Sequence, residues 1–247
     1  MNRKFSLLGL GCLLFGCGVL HGAPLRIAVG ESKLPYVSAE TRSGVEYELI
    51  TRTLQDAGID FELQHLPNKR AQLMFERGQL DAAIATEGTI VSEPYIAYKN
   101  MAITLCEQQI TLSKPADLAP YKTGAFNNAN KFLGAEFTRV AAELAHYREI
   151  SPQKLMNGML LAKRIDVAIA DINIFQLVQQ EVDPQGRKPL CAFAIFAPTL
   201  YRIEFRDATL RDRFNQALAQ ARASGFYEAL AKKYQLPLDR QRPYFKP

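Results

Sequence analysis

The 247-residue chain lacks every signature that would announce a familiar chemistry. It has no paired histidines of the HExxH kind, no nucleophile elbow, no phosphate-cradling glycine loop and no cluster at metal-ligand spacing. No cofactor is therefore expected. Histidine is scarce as well: beyond the N-terminal leader only His65 and His146 remain, one on an expected strand and one at an expected helix end, where a structural role suits them better than catalysis. Long basic runs are also missing. Outside the leader none exceeds Asn68-Lys69-Arg70, and without Arg3 and Lys4 the formal net charge falls from +5 to +3, so a nucleic-acid partner is not expected.

The first 22 residues are expected to be a cleaved signal for export. Arg3 and Lys4 supply the positive start, an apolar stretch runs from Phe5 to Leu20, and the small residues Gly22 and Ala23 follow. The stretch is near the length of a membrane span, but Gly9, Gly11, Gly16 and Gly18 thin it and no stop-transfer pattern follows. Leu14-Phe15-Gly16-Cys17 is the competing reading, a lipoprotein box acylated at Cys17, for which Phe15 is a poor fit. Removing the leader leaves about 225 residues, enough for one large domain or two smaller lobes. Cys106 and Cys191 survive, and an even count in an oxidising compartment favours a disulfide, with two buried thiols as the alternative.

Strand and helix patterns alternate along the mature chain. Leu25 to Val29 is a short apolar run closed by Gly30; Val45, Leu49, Ile50, Leu54 and Ala57 recur at helical spacing up to Gly58; Phe61, Leu63 and His65 alternate as a strand. A helix is expected from about Arg70 to Arg77, then a strand over Asp81 to Thr86. After a long strand from Met101 to Leu112 the pattern starts again: a strand at Lys122 to Phe126, one helix through Phe132, Leu133, Phe137, Val140, Ala141 and Leu144, a strand at Tyr147 to Ile150, a helix at Leu155 to Ala162 and a strand at Ile165 to Ala170. A helix through Ile174, Leu177 and Val178, strands at Cys191 to Phe196 and Leu200 to Phe205, and two C-terminal helices complete it. Such alternation predicts mostly parallel sheets wrapped by helices. The segments ending in Thr86 and Asp171 share Asp-x-Ala-Ile-Ala, either by ancestry or by chance between two buried strands. Either way Thr86 and Asp171 sit at the carboxyl ends of comparable strands, where open α/β sheets place their ligands.

In this order and spacing, Leu25 to Val29, Gly44-Val45-Glu46-Tyr47-Glu48-Leu49, Gly78-Gln79-Leu80-Asp81, Ser92-Glu93-Pro94-Tyr95, Asp117-Leu118, Ile165 to Asp171 and Tyr201 to Arg206 resemble the extracellular solute-binding proteins of family 3, the polar amino acid-binding class. The resemblance implies a two-lobed, type II periplasmic-binding-protein-like α/β fold. It places lobe one at 23–98 plus 199–247 and lobe two at 99–198, joined by hinge crossings near Tyr95 to Ala102 and Pro198 to Tyr201. A monomer that captures a small polar molecule and hands it to an inner-membrane permease is implied, with a ligand sensor or a dehydratase-like enzyme on the same scaffold as alternatives. The resemblance also sets Cys106 and Cys191 on neighbouring strands of lobe two, which implies their disulfide.

Family members that bind α-amino acids use a lobe-one arginine for the carboxylate and a lobe-two aspartate for the ammonium. Asp171 matches the aspartate, but Glu87-Gly88-Thr89-Ile90-Val91-Ser92-Glu93 stands where the arginine belongs. Ordinary L-α-amino acids are thus not expected as tight ligands, and an amine or other donor is expected to face Asp171. Candidate contacts are Tyr36, which either touches the ligand or packs under its loop; Glu31 and Lys33 on the same loop, unless they form a solvated pair; Thr86 and Glu87; Asn127 and Asn128, as anion-holding groups or as caps of a helix starting near Lys131; and Arg70, which is either a substitute cation or an exposed first-turn residue.

Overall fold

A computed structural model describes residues 23–247; the expected leader and Cys17 lie outside the described residues. In chain order the elements of the first half are β1 (Leu25–Val29), α1 (Val45–Asp56), β2 (Phe61–His65), α2 (Asn68–Glu76), β3 (Ala82–Ala85), β4 (Ile96–Tyr98), β5 (Asn100–Leu105), β6 (Thr123–Ala125), α3 (Ala129–Phe132) and α4 (Ala135–Glu143). They continue with β7 (Tyr147–Glu149), α5 (Gln153–Leu161), β8 (Val167–Asp171), α6 (Ile172–Val182), β9 (Leu190–Phe193), β10 (Thr199–Phe205), α7 (Ala208–Ala223), α8 (Phe226–Lys233), and the short pair β11 (Leu238–Asp239) and β12 (Arg242–Pro243). Two five-stranded sheets result, ordered β2-β1-β3-β10-β4 and β7-β6-β8-β5-β9, which makes the protein a two-lobed α/β structure.

The two sheets repeat one plan. In each, three strands run parallel, β2-β1-β3 and β7-β6-β8, and the next strand, β10 or β5, runs antiparallel. β3 and β8, which carry the shared Asp-x-Ala-Ile-Ala, occupy equivalent places. Their aspartates do the same work: Asp81 accepts from the Arg26 amide at 3.0 Å and Asp166 from the Lys122 amide at 2.9 Å, while each aspartate's own N–H returns a 2.8 Å bond to the same residue's carbonyl. Each carboxylate thereby satisfies the backbone beside the start of the neighbouring parallel strand. The repeated motif ties adjacent parallel strands together at their amino ends, away from their carboxyl ends at Thr86 and Asp171.

Helices bury the faces their spacing predicts. α1 sets Leu49, Ile50 and Leu54 against Ile27, Phe205 and Phe214 of the first lobe, with Tyr227 and Leu230 of α8 closing the same core. The second lobe has cores on both faces of its sheet: Ile103, Met156, Leu160 and Phe175 on one, Leu118, Phe137 and Ile169 on the other. Cys106, in the turn that ends β5, and Cys191 of the neighbouring β9 form a disulfide with Cα atoms 5.0 Å apart.

β4 lies outside the expected strands, the strand expected over Cys191 to Phe196 ends at Phe193, and three further boundaries differ from expectation, each for a local reason. The strand expected over Met101 to Leu112 stops at Leu105, where Cys106–Gln108 turn tightly and Gln109 takes φ +55°. The single helix expected from Phe132 to Leu144 breaks into α3 and α4 at Gly134, whose φ of +90° a helix cannot hold. Phe132 is left 70% exposed by that break. α2 starts at Asn68, directly after Pro67, rather than near Arg70.

Candidate functional site

The chain passes between the sheets twice. β4 and β5 are separated by Lys99 alone, and residues 194–198 lead from β9 back to β10. Beside these crossings lies a cleft of about 880 Å³ with walls from both sheets: Lys33, Lys69, Thr86, Tyr98 and Tyr201 on one side, and Phe126, Asn127, Lys131, Phe132 and Asp171 on the other. A smaller cavity of about 330 Å³ adjoins it, shares Lys33, Asn68, Tyr98 and Tyr201, and adds Glu31 and Glu46.

The hinge end of the cleft is closed by an internal hydrogen-bond network. Tyr36, fully buried, stacks on Tyr98 with ring centroids 4.0 Å apart and donates its hydroxyl to both oxygens of Asp171, at 2.8 and 2.9 Å. The Asn173 side-chain amide donates to the same hydroxyl at 2.9 Å. Asp171 also caps α6 by accepting from the Asn173 and Ile174 amides, and it accepts from the Lys99 amide at the crossing, each at 3.1 Å. A carboxylate offers about four acceptor positions, and four donors occupy them. Burial raises the Asp171 carboxyl to about 6, against the opposing pull of those bonds and of the Lys33 charge. The same burial, helped by Asp171, holds the Tyr36 hydroxyl well above its usual range, so it stays protonated and donates. Behind it, Glu46 of α1 accepts from Tyr95 at 2.5 Å and Tyr98 at 2.6 Å, and burial raises its carboxyl too. The network thus runs from α1 through the hinge tyrosines to the start of α6.

The mouth of the cleft is different. Lys33 lies with its ammonium 4.5 Å from the Tyr98 ring centroid, a cation-π arrangement. Among the described residues, Lys33, Lys69 and Lys131 make no ion pair. Tyr98 and Tyr201 meet edge to face at 5.0 Å on one wall, opposite Phe126 and the exposed Phe132.

Of the residues expected from sequence to touch a ligand, Lys33, Thr86, Asn127 and Asp171 line this cleft, and Glu31 lines the adjoining cavity. Tyr36 lies behind the wall. Arg70, Glu87 and Asn128 are not among its lining residues. Asn128 adopts φ +62° at the start of α3 without a side-chain cap, and its amide donates to Glu149 at 2.7 Å. The amides expected to meet an anion are therefore already met by a carboxylate of β7. Glu87 opens the loop that replaces the family arginine, and that loop folds onto β10: the Thr89 amide donates to Glu204 at 3.0 Å, and a Cβ on Gly88 would stand 2.5 Å from the Glu204 carboxylate. The donor expected to face Asp171 is supplied from within, by Tyr36.

Sequence reasoning missed Lys69, Lys131, Phe132, Tyr98 and Tyr201 as lining residues, whereas Tyr36, named as either a ligand contact or a residue packed under its loop, is the buried one. Lys69 is legible in the sequence only as part of the run Asn68-Lys69-Arg70; both cations lie in the first turn of α2, and Lys69 rather than Arg70 lines the cleft. Lys131 and Phe132 follow from the break at Gly134, which sequence spacing absorbed into one amphipathic helix.

Known structures share this architecture. The arginine-, lysine-, histidine-binding protein ArtJ from the thermophilic bacterium Geobacillus stearothermophilus is 18% identical over 89% of this chain and 99% of its own, with a TM-score of 0.57. A polar amino acid ABC uptake transporter substrate binding protein from Streptococcus thermophilus is 16% identical over 85% of each chain, with a TM-score of 0.65. Substrate binding domain 2 of Lactococcus lactis GlnP, in open conformation, is 17% identical over 87% and 96%, with a TM-score of 0.62. At these identities the likeness is one of fold. No curated protein matches the chain. Residues 25–237, nearly the whole described chain, match the sequence model of one family, and the protein belongs to it: the bacterial extracellular solute-binding proteins, family 3.

Proposed function

We propose that the protein is exported to the periplasm, where as a monomer it captures a small molecule between its lobes and presents it to an inner-membrane permease. In this reading lobe one comprises 23–98 and 199–247, lobe two comprises 99–198, and the lobes close about the two crossings. The observation that carries it is the cleft of about 880 Å³ walled by both sheets beside the hinge, a size and position suited to a small ligand. Capture fits the chemistry better than turnover. The two carboxyls raised by burial, Glu46 and Asp171, both already accept from tyrosine hydroxyls, so neither stands ready to move a substrate proton.

The test is to extract whatever small molecule copurifies with protein prepared from the periplasm, identify it by mass spectrometry and add it back. A ligand that bridges the lobes lowers the radius of gyration in solution scattering and raises the melting temperature with concentration. Chemical conversion of the added compound would replace capture by catalysis. Binding that leaves scattering unchanged would remove the hinge closure.

A further inference from the structure

Resting on the reading of the cleft as a capture site, we propose that its ligand is a small organic anion with a flat apolar body and that no ammonium group is recognised. The charges lining the cleft are three lysines, Lys33 and Lys69 on one wall and Lys131 on the other, and one aspartate. That aspartate, Asp171, is only 5% exposed and holds four internal donors. It has no position left for a ligand cation. Of the neighbouring carboxylates, Glu46 accepts from Tyr95 and Tyr98 in the adjoining cavity and Glu149 accepts from the Asn128 and Asn130 amides, while Glu31 lines the adjoining cavity beside Lys33 and is not among the residues of the cleft itself. What faces a ligand is a set of cations from both lobes, so an acid touching both walls favours closure, whereas an ammonium meets like charge.

The apolar half of the assignment comes from the rings. Tyr201, which packs on the buried Tyr98, lines one wall and Phe126 and Phe132 line the other, so aromatic surface is presented from both sides, and Phe132 exposes 70% of its surface. A flat body inserted there removes apolar area from water on both sides, while the lysines hold its acidic group near the solvent edge.

The experiment is calorimetry on the mature protein at low salt and pH 7 with six probes: benzoate, phthalate, benzamide, benzylamine, L-phenylalanine and inorganic phosphate. The expected order places the two aromatic acids at least about tenfold tighter than benzamide, with phosphate weaker than either acid and no heat from benzylamine. Acid binding weakens as salt is raised, because the lysines are at the solvent edge. Each of Lys33→Met, Lys69→Met and Lys131→Met lowers acid affinity by about tenfold, with melting of the free protein unchanged as the control for folding. Benzamide equal to benzoate, or benzylamine or L-phenylalanine bound as tightly as the acids, would overturn the charge assignment. Phosphate equal to the aromatic acids would overturn the apolar body. A copurifying cationic or zwitterionic compound that compacts the protein would leave capture standing and remove this proposal, whereas silence from every probe together with no copurifying compound would remove both.

Discussion

The two ends of the cleft are built from different residue types and do different things. At the hinge end, Tyr36, Asp171, Asn173, Tyr98 and Glu46 bond to one another and are buried. At the mouth, Lys33, Lys69 and Lys131 make no ion pair among the described residues, and Phe132 lies open. A buried polar group without a partner costs more than an exposed one, so the hinge end pairs most of its own groups, the buried Asn173 Oδ1 being the exception, while the mouth leaves its groups to water or a ligand. The difference separates stability from affinity: changes at the hinge end should unfold, and changes at the mouth should release ligand.

The largest expected effect marks the limit of the comparison, since it belongs to neither end. Replacing both Cys106 and Cys191 by Ser opens a closed loop of 85 residues, for which chain entropy gives a loss of about 4 to 5 kcal/mol in the strain-free case. Denaturant unfolding should show that loss with ligand affinity unchanged. Next comes Asp171→Ala, which strands the Tyr36 hydroxyl and the Lys99, Asn173 and Ile174 amides; relief of the buried charge offsets part of the cost, leaving about 2 to 4 kcal/mol. A variant as stable as the parent would show that the network contributes nothing.

Acidity sharpens the contrast further. The Asp171 carboxyl is raised from 3.8 to about 6 on folding, so the folded state binds the extra proton. Its contribution to stability is full below about pH 4 and is lost as pH rises through about 6, an upper bound of about 3 kcal/mol. The unfolding free energy measured across that window should therefore fall more steeply with pH in the parent than in Asp171→Asn. Identical slopes would contradict the burial of this charge. The smallest effect is expected at the loop over β10: Gly88→Ala drives a methyl toward the Glu204 carboxylate and should cost about 1 to 2 kcal/mol, read from the urea midpoint.

The fold was legible because periodicity and glycine punctuation are local. Runs such as Leu25 to Val29, and the helix ended by Gly58, need no distant partner to be recognised, and the shared Asp-x-Ala-Ile-Ala marked equivalent strands. The site was legible only in outline. The missing arginine shows in the sequence as the loop Glu87 to Glu93, whereas its consequence depends on contacts of long sequence separation. Tyr36 reaches Asp171 across 135 positions, and no spacing rule pairs a loop tyrosine with a strand-end aspartate. Arg70 and Lys69 lie about 100° apart around α2, and only the packing of that helix decides which of the two cations faces the cleft.

If the mouth binds ligand while the hinge end bonds to itself, Lys131→Met and Asp171→Asn should part company when affinity for a bound aromatic acid and thermal melting at pH 7 are measured in parallel. The account predicts that Lys131→Met weakens binding about tenfold with melting unchanged, and that Asp171→Asn alters melting while affinity stays within about threefold. The reverse pattern, with affinity lost at Asp171 and retained at Lys131, would contradict it.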